Sequence, residues 1–155
     1  MVLAFAPMGE TEKAWELFEL LNPVNHSNDV EKAAIYKVEP YVIAADVYAA
    51  DQRRGRGGWT WYTGSAAWMY RLLTETLLDI NIMGDKLHLS PRLPEKWDSY
   101  KVHYRYKETV YHITFSRISD NALPYLVLDN QTQADKNILH MVNDHGEHFV
   151  EMGIK

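Results

Sequence analysis

The segment with the most evident chemistry runs from Gly57 to Ala66 and reads Gly-Gly-Trp-Thr-Trp-Tyr-Thr-Gly-Ser-Ala. Thr63 offers a hydroxyl, Gly64 a backbone that a ligand can approach closely, and Ser65 a helix cap. Unpaired N–H groups and the macrodipole favour an anion at the N-terminus of a helix. The Lys-Ser or Lys-Thr pair that completes a Walker loop does not follow these glycines. The residues alone support two interpretations: an anion site at Thr63 and Gly64, or a simple capped turn.

Charged residues flank this segment on its N-terminal side. Arg53, Arg54 and Arg56 form a basic cluster, which we interpret either as added positive potential for an anion or as a solvated loop. Asp46 falls in the nearly apolar stretch 41–49, for which Pro40 predicts the first residue of a buried helix. Because a buried acid needs a partner and sugar hydroxyls would serve, Asp46 is a candidate substrate-binding residue.

Several other chemistries are disfavoured. His103 and His112 lie on predicted strands separated by a short turn and could face each other, but two ligands do not make a zinc site. His140, His145 and His148 match no metal-ligand spacing, so we predict no metal. The chain has no cysteine, which removes thiolate sites and disulfides. Neither a Ser-His-Asp arrangement nor a closely spaced carboxylate pair for glycoside hydrolysis is evident.

The composition is that of one ordinary globular chain. It has 155 residues, of which 46% are hydrophobic and 24% charged, with a net charge of −5. Nucleic-acid binders usually carry the opposite sign, so we expect no nucleic-acid partner. No apolar run approaches the roughly 20 residues of a membrane span, and the N-terminus does not resemble a signal peptide. The 10 Tyr, 5 Trp and 4 Phe are typical either of a core or of a sugar-binding surface.

The hydrophobic period changes near residue 80. Helical spacing predicts helices from Thr11 to Asn22, around 30–35 and from Ser65 to about Ile80. Alternation with a period of two then predicts strands at 86–89, 101–107, 109–116, 125–128, 137–142 and 148–153. We therefore predict an α+β fold with a helical domain, residues 1–80, and an antiparallel β domain, residues 81–155.

Several motifs together resemble a known family. They are Tyr36-Lys37-Val38-Glu39-Pro40-Tyr41-Val42, Ala44-Ala45-Asp46-Val47-Tyr48, the 57–66 segment, Trp68-Met69-Tyr70-Arg71, and Leu93-Pro94-Glu95-Lys96-Trp97. The sequence resembles the glycoside hydrolase family 94 phosphorylases, and most of all the C-terminal phosphorylase-like domain of the cyclic β-1,2-glucan synthases. The resemblance covers nearly the whole chain and weakens after about Asn121.

The resemblance implies an (α/α)6 barrel followed by a small antiparallel β domain, of which residues 1–80 would form only the last barrel helices. It implies inverting phosphorolysis of a β-glucosidic bond, with inorganic phosphate as co-substrate, no cofactor, and α-glucose 1-phosphate as product. The family's phosphate-binding Thr-Gly pair matches Thr63 and Gly64. Its general-acid aspartate belongs to an Asp-Trp-Asn-Asp-like segment that this sequence lacks. Cellobiose phosphorylases have a sugar-contacting glutamine where this chain has Ala45, next to Asp46.

These implications lead to one main hypothesis and two alternatives. The main hypothesis is a C-terminal fragment of a cyclic β-1,2-glucan synthase, inactive alone, acting with the rest of its parent chain on β-glucan at the cytoplasmic side of the bacterial inner membrane. The alternatives are a fragment of a stand-alone β-glucan phosphorylase and a non-catalytic carbohydrate-binding β module. Truncation of a barrel would leave apolar helix faces without partners, so the helical part is also expected to self-associate into homo-oligomers, unless Phe18, Val42 and similar residues find substitute partners.

Overall fold

The computed structural model describes residues 1–61 and 64–155 and divides into two compact units, Met1–Leu77 and Leu78–Lys155. The first unit contains the helices and one short β pairing, and the second contains two β-sheets. This order of helices followed by strands confirms the predicted α+β fold. The assignment of residues 1–80 to the last helices of an (α/α)6 barrel stays a prediction.

The first unit opens with two helices that pack on each other, α1 (Val2–Phe5) and α2 (Thr11–Leu21). Helix α2 ends where predicted, because Asn22 adopts an extended conformation before Pro23 and its side chain caps a 3-10 turn, Pro23–His26. Trp15 and Phe18 are buried on the inner face of α2 and meet edge to face, with ring centroids 5.7 Å apart. Phe18 thus has a partner within the unit, whereas Leu21 at the end of the same helix is exposed.

Helix α3 (Val30–Tyr36) confirms the predicted amphipathic stretch. It begins at Asp29, whose carboxylate accepts a hydrogen bond of 2.8 Å from the Lys32 N–H, the usual role of an N-cap. It ends at Lys37, which has left-handed backbone angles, φ 55° and ψ 34°. That conformation is uncommon for a residue with a side chain, and it reverses the chain at this point.

The predicted helix from Tyr41 to about Ala49 is wrong. These residues form turns and a short strand, β1 (Asp46–Val47), which pairs antiparallel with β2 (Gly57–Gly58). A uniformly apolar run has no periodicity that separates a helix from a strand or a packed loop. Glu39 therefore caps no helix, and its carbonyl accepts a turn hydrogen bond from the Val42 N–H. Val42 is buried within the unit.

The last helix of the unit is α4 (Ser65–Arg71), which continues as a π-helical segment, Leu72–Leu77. The helix begins as predicted but stops before Ile80, which already belongs to a strand. Leu77 at the end of this segment is fully buried. Among the described residues, no helix is long and apolar enough to cross a bilayer.

The second unit has eight strands in two sheets. The three-stranded sheet has the order β3-β4-β9, and the five-stranded sheet has the order β5-β6-β10-β7-β8. The strands are β3 (Ile80–Met83), β4 (Lys86–Leu89), β5 (Ser99–Tyr106), β6 (Thr109–Arg117), β7 (Tyr125–Leu128), β8 (Gln131–Thr132), β9 (Ile138–His140) and β10 (Glu147–Ile154). The six predicted strands are present, and β3 and β8 were missed.

One pairing departs from the predicted antiparallel sheet. Strand β10 runs parallel to β6, with Val150 opposite Ile113, and antiparallel to β7. The other pairings are antiparallel. Alternation along a strand indicates which face is buried but carries no information on direction. The segment 118–146 lies between β6 and β10, and so long a connection permits a parallel pair.

The two sheets of the second unit share one apolar core. Side chains from both sheets meet in it, and those that are almost completely buried include Leu87, Leu89, Tyr111, Ile113, Phe115, Leu126, Leu139 and Val150. On β5 the predicted alternation holds, since the Tyr100, Val102, Tyr104 and Tyr106 side chains are partly buried and the intervening ones are exposed. The β domain therefore has one apolar and one solvated face on this strand.

The Leu93–Trp97 motif is held in place by Arg117 at the end of β6. The guanidinium of Arg117 donates hydrogen bonds to the carbonyl oxygens of Pro94 (2.9 Å), Leu93 (3.3 Å) and Trp97 (3.4 Å). Leu93 and Pro94 are buried. This part of the family-like sequence has a structural role in the β domain.

Candidate functional site

The Gly57–Ala66 segment begins in a β pairing and ends in a helix. Gly57 and Gly58 form β2, and Gly64 is the residue before α4, its carbonyl accepting a 3.0 Å hydrogen bond from the Trp68 N–H. Thr63, the predicted phosphate-binding hydroxyl, lies outside the described residues. The structure therefore places Gly64 at the predicted helix start, and the phosphate site at Thr63 and Gly64 stays a prediction.

The three glycines of this segment have different environments. A Cβ at Gly57 would lie 2.5 Å from Val38 Cγ2, and one at Gly58 would lie 2.5 Å from Asp46 Oδ1 and from the Tyr48 hydroxyl. Among the described residues, the atom nearest to a Cβ at Gly64 would be Trp68 Cδ1, at 3.9 Å. Close packing thus explains the first two glycines. At position 64 there is room for a side chain, so packing does not explain the glycine. Close approach of a ligand to the backbone would explain it.

Asp46 does not have the environment that the sequence suggested. It lies on β1, opposite Gly58, and it is exposed rather than buried in a helix. The premise that a buried Asp46 requires a sugar partner is therefore wrong. The pairing nevertheless brings its carboxylate to the base of the Gly57–Ala66 segment, where the Ala45 N–H also bonds to the carbonyls of Gly58 and Trp59, both at 3.1 Å. Sugar binding by Asp46 stays a prediction.

Aromatic rings are exposed around this pairing. Trp59 is 71% exposed, Trp61 64% and Tyr41 69%. Tyr41 and Trp61 meet edge to face with centroids 6.1 Å apart. Large exposed rings of this kind supply apolar faces on which a sugar ring can stack. The aromatic residues thus divide between the core, as Trp15 and Phe115 do, and this surface.

A basic cleft of about 410 Å³ lies beside the same pairing. Its lining includes three exposed cationic residues, Lys37, Arg53 and Arg56, together with Tyr48, Trp59, Thr60 and the backbone of Gly57 and Gly58. No aspartate or glutamate is among the described residues that line it. The sequence indicated the arginines but missed Lys37, whose placement depends on the left-handed end of α3.

The histidines form two polar clusters on the β domain. His103 and His112 face each other across β5 and β6, as expected, with their Nδ1 atoms 2.6 Å apart. His148 lies between two carboxylates, with Nδ1 2.6 Å from Asp129 and Nε2 3.1 Å from Asp144. In residues 1–61 and 64–155, no group of three or more metal-ligating side chains is placed to hold an ion.

The pair of carboxylates perturbs the titration of His148. The hydrogen bond that the His148 ring makes to the Asp129 carboxylate, followed by the charges of Asp129 and Asp144, raises the pKa of His148 above its ordinary value. Backbone N–H groups lower the pKa of both carboxyls: that of Phe149 acts on Asp129, and that of Gly146 on Asp144. Asp129 lies too far from His148 along the chain for sequence spacing to reveal the cluster, which β-strand pairing assembles.

Comparison with known proteins identifies the family. Residues 1–79 match the catalytic domain of the glycosyl hydrolase 94 superfamily, and residues 80–118 match the C-terminal domain of glycosyl hydrolase family 65. The first match covers half of the chain. It contains the Gly57–Ala66 segment, the basic cleft and the exposed aromatic residues. The chain belongs to the glycosyl hydrolase 94 superfamily.

Individual relatives support the same assignment. The chain is 46% identical over 130 residues, 84% of its length, to the cyclic β-(1,2)-glucan synthase NdvB of Rhizobium meliloti. It is 29% identical over 72% of its length to the N,N'-diacetylchitobiose phosphorylase of Vibrio furnissii. It is 25% identical over 86% of its length to the 1,2-β-oligoglucan phosphorylase of Listeria innocua.

The chain corresponds to a small part of each of these relatives. The aligned region spans 5% of the synthase, 14% of the chitobiose phosphorylase and 13% of the oligoglucan phosphorylase. Any activity of those proteins therefore concerns a much longer polypeptide than the one described here.

Proposed function

We propose that this chain acts as part of the phosphorylase module of a cyclic β-1,2-glucan synthase. The observation that carries the proposal is the 46% identity over 130 residues to a synthase of that name, against 25–29% to the two phosphorylases compared above. The match of residues 1–79 to a family catalytic domain also supports the proposal, because it indicates a part of an enzyme. The proposed substrates are a β-glucan chain and inorganic phosphate, and the proposed partner is the rest of the parent protein.

The proposed reaction is inverting phosphorolysis. A phosphate oxygen forms a bond to the anomeric carbon as the β-glucosidic bond breaks, and the leaving oxygen takes a proton from a carboxylic acid that another part of the parent protein supplies. The products are α-glucose 1-phosphate and a glucan shortened by one residue. Phosphate is negatively charged. Hydrogen-bond donors that are already in position around it therefore lower the activation free energy of phosphorolysis.

This chain would contribute part of the phosphate site and one wall of the sugar site. Thr63 would donate its hydroxyl proton to phosphate, and Gly64 would allow phosphate to approach the backbone. The absence of a packing demand for glycine at 64 supports this assignment. The exposed rings of Trp59 and Trp61 would stack on sugar, and the exposed carboxylate of Asp46 would accept hydrogen bonds from sugar hydroxyls.

Location and assembly follow from the same assignment. As part of a glucan synthase, the module would lie on the cytoplasmic side of the bacterial inner membrane. Outside the parent protein, the chain would form homo-oligomers through the helical unit. A groove of about 350 Å³ lined by apolar residues including Leu3, Leu21, Trp68 and Met69 supports this.

A linkage panel assayed with the full-length parent protein tests the proposal. Linear β-1,2-glucan, cellobiose and N,N'-diacetylchitobiose are each incubated with phosphate, and the α-glucose 1-phosphate or its amino-sugar equivalent is quantified by ³¹P NMR. We expect product from β-1,2-glucan alone, and none from the isolated 155-residue chain. Product from cellobiose or chitobiose instead would assign the chain to a different phosphorylase, and absence of product from every substrate would refute phosphorolysis.

A further inference from the structure

We propose that the cleft lined by Lys37, Arg53 and Arg56 binds a phosphate dianion, free or as a sugar ester. Among the described residues, those that line the cleft include neither Gly64 nor any residue of α4. This inference is independent of the proposed phosphorylase function, because it rests only on the cleft and its charges.

The first argument is that no neighbouring carboxylate balances the positive charges of the cleft. Among the described residues, the side chains of Lys37, Arg53 and Arg56 make no hydrogen bond or ion pair, and no carboxylate lines the cleft. The neighbouring Arg54 behaves differently, since its guanidinium is 3.2 Å from the carboxylate of Asp51. Three like charges around one cavity repel each other, and a bound dianion turns that repulsion into attraction.

The second argument is that the backbone fixes the three positions. Lys37 is the left-handed residue that ends α3, and Arg53 ends a 3-10 turn, Asp51–Arg53. Arg56 is held on both sides, since its N–H donates to the Arg53 carbonyl at 3.0 Å and its own carbonyl accepts from the Tyr48 N–H at 2.9 Å. A ligand therefore meets a backbone that already holds the three positions, which lowers the entropic cost of binding.

The third argument concerns the size and lining of the cleft. A volume of about 410 Å³ falls in the range of small-molecule sites, roughly 300–1,000 Å³, and exceeds the needs of a single oxyanion. Guanidinium groups match the oxygens of phosphate in a bidentate geometry. The exposed ring of Trp59 lies on the same lining and offers a face for a sugar. These features together favour a phosphate monoester over a carboxylate.

Titration of the 155-residue chain tests the inference. Inorganic phosphate, α-glucose 1-phosphate and glucose are added separately at low ionic strength, and binding is followed through the amide NMR signals of Gly57 and Gly58. Three proteins are compared: the unsubstituted chain, the triple variant Lys37→Ala/Arg53→Ala/Arg56→Ala, and the matched control Arg54→Ala. All substituted cations are exposed, and dispersion of the NMR spectrum verifies that each variant is folded.

We expect phosphate and glucose 1-phosphate, but not glucose, to bind the unsubstituted chain. The triple variant should lose at least roughly tenfold in affinity, the effect of losing one or more hydrogen bonds to a charged group. Arg54→Ala should stay within about twofold. Tighter binding of glucose 1-phosphate than of phosphate would identify the ester as ligand, and equal binding the free ion. No binding to the unsubstituted chain, no loss in the triple variant, or an equal loss in Arg54→Ala would each overturn the inference.

Discussion

Asp46 lies directly opposite Gly58 in the β1–β2 pairing, so close that a Cβ at position 58 would come 2.5 Å from its carboxylate oxygen. The same Cβ would lie 2.5 Å from the Tyr48 hydroxyl. This contact joins the Ala44–Tyr48 motif to the Gly57–Ala66 segment. Two of the motifs that resemble the family therefore pack against each other.

The first prediction follows from this contact. Gly58→Ala should lower the free energy of unfolding by about 1–3 kcal/mol, the usual cost of forcing an extra methyl group into a packed site. Gly64→Ala is the control, because among the described residues its Cβ would meet only Trp68 Cδ1, at 3.9 Å, and it should change the free energy of unfolding by less than about 0.5 kcal/mol. Urea denaturation followed by circular dichroism measures both. Equal stability of the two variants would show that β1 and β2 do not pack as described.

The second prediction concerns two tyrosines of the β domain. Tyr100 stacks on Phe115, and within the described residues its buried hydroxyl has no hydrogen-bond partner. The Tyr111 hydroxyl instead accepts from the Val142 N–H at 2.7 Å and donates to the Val142 carbonyl at 3.2 Å. Tyr100→Phe should leave the free energy of unfolding unchanged or raise it, whereas Tyr111→Phe should lower it by about 0.5–1.5 kcal/mol, the usual net contribution of a hydrogen bond, since the N–H and carbonyl of Val142 lose this partner.

Thermal or urea unfolding of the two tyrosine variants measures both changes in the free energy of unfolding. Each variant removes one oxygen atom and keeps the ring, so the pair differs only in hydrogen bonding. A loss of stability in Tyr100→Phe equal to that in Tyr111→Phe would mean that the Tyr100 hydroxyl has a partner after all.

The third prediction is that the free energy of unfolding depends on pH through the titration of His148. Because Asp129 and Asp144 raise its pKa above the ordinary value of 6.5, the imidazolium stabilises the fold fully below about pH 6.5. This contribution is lost as the pH rises through the higher pKa of the folded state. The carboxyls, whose pKa values are lowered, lose their own contribution only under more acidic conditions.

The free energy of unfolding should therefore fall as the pH rises above about 6.5, and fall less in His148→Gln. His140→Gln is the control, since His140 is exposed and has no side-chain hydrogen bond among the described residues. A slope in His148→Gln as steep as in the unsubstituted chain would contradict the assignment of this pH dependence to His148.

The sequence predicted the β domain better than the loop region. In the strand Thr109–Arg117, buried residues alternate with half-buried ones as far as Ser116, and this local signal is enough to place the strand. The parallel pairing of that strand with β10 was not predictable, because strand direction depends on the intervening chain. The same holds for the contact between His148 and Asp129, which the pairing of β7 and β10 brings together.

In the helical unit, tertiary contacts determine the structure of the 41–49 segment more than its local helical preference does. The apolar run after Pro40 resembles a buried helix, but Val47 pairs with Gly57 and the side chain of Ala44 lies against Gly57. Only the glycines at 57 and 58 leave space for this arrangement, and their effect is on a segment ten residues away. The start of α4 was predicted, because Ser65 is of a type that often caps a helix, but the cap itself was wrong: Gly64 occupies the N-cap position and Ser65 is the first helical residue.

The fourth prediction is self-association of the isolated chain. Leu20, Leu21 and Trp68 are exposed on the helical unit, and large exposed apolar patches favour association. Sedimentation velocity at micromolar concentration should show species larger than the 18.0 kDa monomer. Leu20→Lys/Leu21→Lys should shift the distribution toward monomer, whereas Leu123→Lys, at an exposed leucine of the β domain, should not. A monomer at all concentrations would contradict the prediction.

The most direct measurement of the central claim is the phosphate dependence of phosphorolysis by the full-length parent protein carrying Thr63→Ala. Loss of a hydrogen bond to a charged group costs about 1.5–3 kcal/mol, so the KM for phosphate should rise roughly tenfold to a hundredfold. Thr63→Ser, which keeps the hydroxyl, should retain a KM near that of the unsubstituted protein, and the KM for glucan should be similar in all three. An unchanged KM for phosphate in Thr63→Ala would contradict the account and leave Thr63 as part of a capped turn.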